Sequence, residues 1–85
     1  MTLEMLKTAK RKTIGSKQTV KGICSGRVAS VFLAEDADSH VIQPILQLCI
    51  EHQLPTIRVE SMLILGNACG IQVGAAAAGI VRETE

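Results

Sequence analysis

The sequence predicts an α/β fold in which helices cover both faces of one sheet, a three-layer α/β/α sandwich. Three observations carry that prediction. Helix-period and strand-like segments alternate along the chain in the order α, β, α, β, α, β, α, β, the pattern of a layered α/β domain. Residues Val28 to Ala34 form a nearly continuous apolar run, as a strand covered on both faces must. The chain has 85 residues, enough for a single domain over residues 1–85, so helices and connections alike must be short.

Each element has its own local reason. Leu3, Leu6 and Ala9 recur at near-helical spacing, which predicts a helix from Leu3 to Arg11. Lys12 to Gly15 is a short extended piece ended by a glycine. Ser16 is a candidate N-cap for a second helix running to about Ser25, with Val20, Ile23 and Cys24 as its apolar stripe and Gly26 as its stop. After the Val28–Ala34 strand, the acidic stretch Glu35-Asp36-Ala37-Asp38 breaks the pattern. Val41, Ile45, Leu48, Cys49 and His52 then mark an amphipathic helix. Pro44 is expected in its first turn, where a missing N–H costs least, and Leu54-Pro55 ends it. Thr56 to Val59 is a β-branched strand. Ser61 caps a helix over Met62 to Cys69, and Gly70 stops it. Ile71 to Gly74 is a loop. Ala75 to Val81 has the alanine content of a helix, but the flanking Gly74 and Gly79 and the following Ile80-Val81 favour a central strand pressed closely by helices.

Composition removes several classes of function. Hydrophobic residues make up 47% and charged residues 20%, a globular balance. No apolar run approaches the roughly 18 residues of a membrane span, and no secretory signal is visible, so a cytoplasmic protein without a membrane partner is expected. Cys24, Cys49 and Cys69 are widely spaced and sit among apolar neighbours. They read as buried reduced thiols, and with only His40 and His52 present there is no zinc-finger spacing. Phe32 is the only aromatic residue, which excludes modules that stack bases on aromatic platforms. No catalytic constellation and no glycine-rich phosphate loop is present. Glu35, Asp36 and Asp38 read first as a solvated loop and helix start. The chain is therefore expected to be no enzyme, and to need no cofactor and no metal.

Charge placement says more than its sum. The net charge is +1, but residues 1–30 hold seven basic side chains against one acid and residues 31–85 hold two against seven. A balance of +6 at one end can attract a polyanion whatever the total. In Gly15-Ser16-Lys17-Gln18-Thr19-Val20-Lys21, the side chains of Lys17, Gln18 and Lys21 fall within one sector of about 100° on a helix. A helix start draws phosphate, glycine permits close backbone approach, and ammonium and amide groups donate further bonds. An ordinary solvated lysine face would have the same composition. Ile71-Gln72-Val73 is the second candidate: either two apolar side chains turned into the core, or an exposed apolar finger.

Three segments in order, Gly15 to Lys21, Val31 to Asp38 and Leu65 to Ala76, resemble the L-seven-Ae/L-thirty-e ribosomal protein family, closest to its small bacterial ribosomal-protein-like members that bind kink-turn RNA. The resemblance spans about residues 4–82. It implies that the sheet of the sandwich is mixed and four-stranded. It also implies binding to a kink-turn, an RNA internal loop with tandem sheared G·A pairs and a sharp bend, within ribosomal RNA or a riboswitch-like RNA, and so a possible place on the ribosome for a monomeric chain. In the family motif Gly-x-Asn-Glu-x-x-Lys, Gly15 matches the glycine, Lys17 the asparagine, Gln18 the glutamate and Lys21 the lysine, with Ser16 between. Asp38 and Ile42 fall where family residues meet a flipped-out nucleotide. Ile71, Gln72 and Val73 fall in the loop that closes over it. Lys-Gln in place of Asn-Glu implies the same mode of binding with altered base discrimination. The alternative is a protein–protein adaptor on the same fold, using the acidic residues 35–60 and the exposed loop, without an RNA site of its own.

Overall fold

Four helices and four strands alternate along the chain in this computed structural model, which describes residues 3–82. Glu83 and Glu85, counted in the charge balance above, lie outside the described residues. The elements are α1 (Leu3–Thr8), β1 (Lys12–Ile14), α2 (Ser16–Cys24), β2 (Val28–Ala34), α3 (Ser39–Glu51), β3 (Thr56–Val59), α4 (Met62–Ala68) and β4 (Ala77–Val81). The strands form one sheet in the order β1-β4-β2-β3. β4 pairs antiparallel with both β1 and β2, while β2 and β3 run parallel. The sheet is thus mixed and four-stranded, as expected.

The two faces of β2 seed two cores. Phe32 and Ala34 pack with Leu6 of α1 and Leu65 and Ala68 of α4. Val31 and Leu33 point the other way, to Ile23 of α2 and Ile45 and Cys49 of α3. Successive strand residues alternate faces, so a strand covered by helices on both sides must be apolar throughout, and six of the seven residues of β2 are buried. The alanine-rich segment is a central strand: Ala78 joins the first core and Ala77 the second.

Several local expectations change. α1 ends at Thr8 rather than Arg11. The Lys12 ammonium donates to the Leu6 carbonyl at 3.0 Å, satisfying the helix end where the chain turns into β1. Ser16 is the first helical residue of α2 and not its cap. The cap is Gly15, whose carbonyl accepts from the Thr19 N–H at 3.1 Å while its backbone takes φ +94°, a conformation that favours glycine. Cys24 is exposed, and Thr19 and Gly22 take its place on the buried side of α2 beside Ile23. That face packs Ile23 into the core, brings Gly22 close against Val28 and Thr13, and joins the Thr13 and Thr19 hydroxyls by a hydrogen bond of 2.9 Å. α3 begins at Ser39, so Pro44 lies in its second turn and offers no N–H to the His40 carbonyl. Both residues are exposed, so water can satisfy that carbonyl. Val41 and His52 face outward, and the buried stripe of α3 runs through Ile45 and Cys49, with Ile42 half-buried beside it.

Burial pushes the thiols of Cys49 and Cys69 up from their ordinary value, with the Lys12 charge partly opposing the shift at Cys69. A buried thiol held in its protonated form reacts slowly, because the thiolate is the nucleophile. A thiol-exchange reagent at neutral pH is expected to label only Cys24 rapidly in the native protein, and all three cysteines after denaturation. Rapid native labelling of two or three would contradict the packing of Cys49 and Cys69.

Candidate nucleic-acid interface

Strand direction brings three connections to one end of the sheet. β1 ends at Ile14, β2 ends at Ala34 and β4 begins at Ala77, so the β1–α2 turn, the β2–α3 loop and the α4–β4 loop are neighbours. Backbone bonds tie them together. The Gly15 N–H donates to Ala77 O at 2.9 Å, and the Ala34 N–H donates to Ala76 O at 2.9 Å. The Ala75 N–H donates to Met62 O at 3.0 Å. The Met62 N–H donates in turn to the Asp36 carboxylate at 2.8 Å. Asp36 therefore caps α4 from 26 positions away, a role its place in an acidic run did not reveal.

The first turns of α2 present the basic set. Lys17, Gln18 and Lys21 are all exposed, and Gly15 and Ser16 are half-buried. The Gln18 amide oxygen accepts from the Ile14 N–H at 3.2 Å. Only the oxygen can accept that bond, so the amide NH2 group is the end left for a ligand. The N–H groups of the first helical turn add donors and a positive dipole end beside Lys17.

The other candidate residues separate into two kinds. Asp38 is exposed and caps α3, one carboxylate oxygen accepting from the His40 N–H at 2.8 Å. Ile42 packs half-buried against the α2–α3 core. Ile71 packs against the α1–α4 core, whereas Gln72 is exposed and Val73 is 67% exposed. The loop is therefore neither wholly core nor wholly finger: Ile71 anchors it and Gln72-Val73 form its outer edge. Gly66 explains how it stays there. A Cβ at Gly66 would collide with the Val73 carbonyl, so glycine in the interior of α4 lets the loop lie directly on the helix.

The chain matches one family model over its full length. Residues 1–85 fit the ribosomal protein L7Ae/L30e/S12e/Gadd45 family. This chain belongs to that family. The RNA-binding protein YbxF of Geobacillus stearothermophilus is 42% identical over 82 residues, covering 96% of this chain and 100% of its own length. An RNA-binding protein of Geobacillus thermodenitrificans is 43% identical with the same coverage. Both relatives are named for binding RNA and not for catalysis. Among solved structures, a Giardia lamblia 15.5kD RNA-binding protein superposes with a TM-score of 0.85 at 24% identity, covering 95% of this chain and 71% of the other. That likeness concerns the fold alone.

The loop geometry has consequences for stability. Ile71→Asp is expected to destabilise the protein by about 1–3 kcal/mol, a fall in Tm of at least about 4 °C for a domain of this size. Val73→Asp should leave Tm nearly unchanged. Asp36→Ala should cost about 1 kcal/mol, because the Met62 N–H at the start of α4 loses its acceptor while Ser61 still caps Ile64. Thermal melts followed by circular dichroism check all three, and an equal loss at positions 71 and 73 would contradict the division of the loop.

Proposed function

We propose that this chain is an RNA-binding protein that recognises kink-turns. The observation that supports this best is that the β1–α2 turn, leading into Lys17, Gln18 and Lys21, lies at the same end of the sheet as the α4–β4 loop with its exposed Gln72-Val73 edge. Membership of the family and the names of relatives matching over nearly the full chain support the RNA part of the reading.

In this reading α2 enters the widened groove at the sheared G·A pairs. A regular A-form groove hides its base edges, so a protein gains access where the helix is interrupted. Lys17 and Lys21 donate to phosphates or base acceptors. Gln18, its oxygen already held by Ile14, offers NH2 donors that suit the O6 and N7 acceptors of guanine. A glutamate at this position would present acceptors instead, so the exchange alters which edge is read while keeping the approach of α2. Gln72 and Val73 close over the flipped-out nucleotide, with Ile42 beside it. Asp38 reaches that nucleotide with the carboxylate oxygen its own helix does not use. The bent RNA is favoured because it meets both surfaces at once, whereas the extended form meets one.

A gel-shift titration tests this with a kink-turn RNA, the same RNA with its G·A pairs changed, and a straight duplex of equal length. Tight binding to the first alone is expected. Lys17→Ala and Lys21→Ala should each flatten the dependence of log affinity on log salt, by about 0.9 for each phosphate no longer neutralised. Val73→Asp should weaken binding without unfolding the chain. Equal affinity for all three RNAs would overturn kink-turn recognition. Binding insensitive to salt, or absent, would return the chain to the adaptor reading.

A further inference from the structure

The opposite end of the sheet carries a second concentration of positive charge. β1 begins there, β2 begins there and β4 ends there. The Val81 N–H donates to Arg11 O at 3.1 Å and the Arg82 N–H donates to Arg27 O at 2.6 Å. Three arginines from three separate strand ends are thereby held side by side. Together with Lys21 of α2 they line an open-sided cleft of about 650 Å³, whose walls also include Gln18 and Thr13. Among the described residues no carboxylate lines it.

We propose that this cleft binds RNA backbone phosphates, carrying one stem of a bound RNA along α2 and away from the recognition turn. Four cationic side chains drawn into one concavity repel each other, and a polyanion relieves that repulsion. Three of the four are arginines, whose planar guanidinium groups bind phosphate oxygens in pairs. The cleft runs from Gln18, in the first turn of α2 beside the recognition turn, past Lys21 in its last turn, to Gly26 and Arg27 beyond the helix. The stretch of α2 along the cleft, Gln18 to Cys24, rises about 10 Å, longer than any single phosphate group. A lone small anion would need neither that length nor that continuity. The inference rests on the RNA reading above but not on kink-turn specificity.

The experiment compares the natural chain, Arg27→Gln/Arg82→Gln, Arg27→Lys/Arg82→Lys and Lys17→Ala. Each is titrated across a salt series with a short-stemmed kink-turn RNA, versions with each stem in turn lengthened by one helical turn, and a plain duplex. Arg27 and Arg82 are exposed, and thermal melts confirm that every variant is folded. The natural chain should bind one of the lengthened RNAs more tightly than the short one. The glutamine pair should lose that gain. With two phosphates no longer neutralised, the salt slope flattens by about 1.8, a factor of about 12 over a fourfold salt change. The lysine pair should keep most of the slope.

If the glutamine pair binds every RNA with the natural affinity and slope, the cleft proposal is wrong. If the natural chain fails to distinguish the kink-turn from its G·A-altered form, kink-turn recognition fails, and the plain-duplex arm still decides the cleft. Inorganic pyrophosphate supplies a further arm, read from the arginine side-chain NMR signals. Pyrophosphate bound in the cleft and not displaced by excess RNA would overturn the assignment to RNA and mark a site for small phosphates instead.

Discussion

Everything at both ends of the sheet depends on β4 being thin. It is bonded on both sides, to β1 and to β2, and it is covered on both faces. Ala77 and Ala78 are fully buried, and a Cβ at Gly79 would crowd the Thr13 hydroxyl and Val28. Larger side chains there would push the helical layers apart and break the close packing that gives an interior its stability. The same strand is the point of attachment for functional segments. Its start receives the Gly15 and Ala34 N–H groups through Ala77 and Ala76, and its end donates to Arg11 and Arg27. One buried strand of small residues therefore positions the β1–α2 turn at one end and the arginines at the other.

Polar groups on this scaffold divide by whether the fold has already used them. Asp36, Asp38 and Ser61 accept from backbone N–H groups at helix starts, and the Lys12 ammonium serves the end of α1. These satisfy donors and acceptors that burial or helix geometry would otherwise strand. Lys17, Lys21, Arg11, Arg27 and Arg82 lie exposed on the α2 side or at the sheet end. Gln18 is in both groups, its oxygen turned inward and its NH2 group left over. That division takes Lys12 out of the seven basic residues of the N-terminal third, and it turns most of the acidic stretch from an obstacle to RNA into helix capping.

The apolar residues divide in the same way. Ile71 and Val73 are two positions apart in one loop, yet one joins the α1–α4 core and the other is largely exposed. Gly66 makes this possible by letting the loop backbone rest on α4. An anchored loop loses less freedom when it closes on a partner than a free one would, because part of its ordering cost is met in folding.

Order and identity of the elements were legible in the sequence because their causes are local. Apolar period, β-branched runs, Ser61 as a cap and Gly26 and Gly70 as stops all act within a few residues. The family motifs are local in the same sense, and they singled out the Gly15–Lys21 turn. What the sequence left open depended on partners far along the chain. The rotation that exposes Cys24 and buries Thr19 goes with contacts to other elements, the Thr13 hydroxyl and Val28 among them. The role of Asp36 requires Met62, and the split between Ile71 and Val73 requires the surface of α4. Arg11, Arg27 and Arg82 meet only because an antiparallel register places three strand ends together. Local patterning determined which elements form, since short-range sterics and hydrogen bonds decide that. Tertiary structure decided which side chains the fold uses and which remain for a ligand, since that depends on contacts between segments distant in sequence.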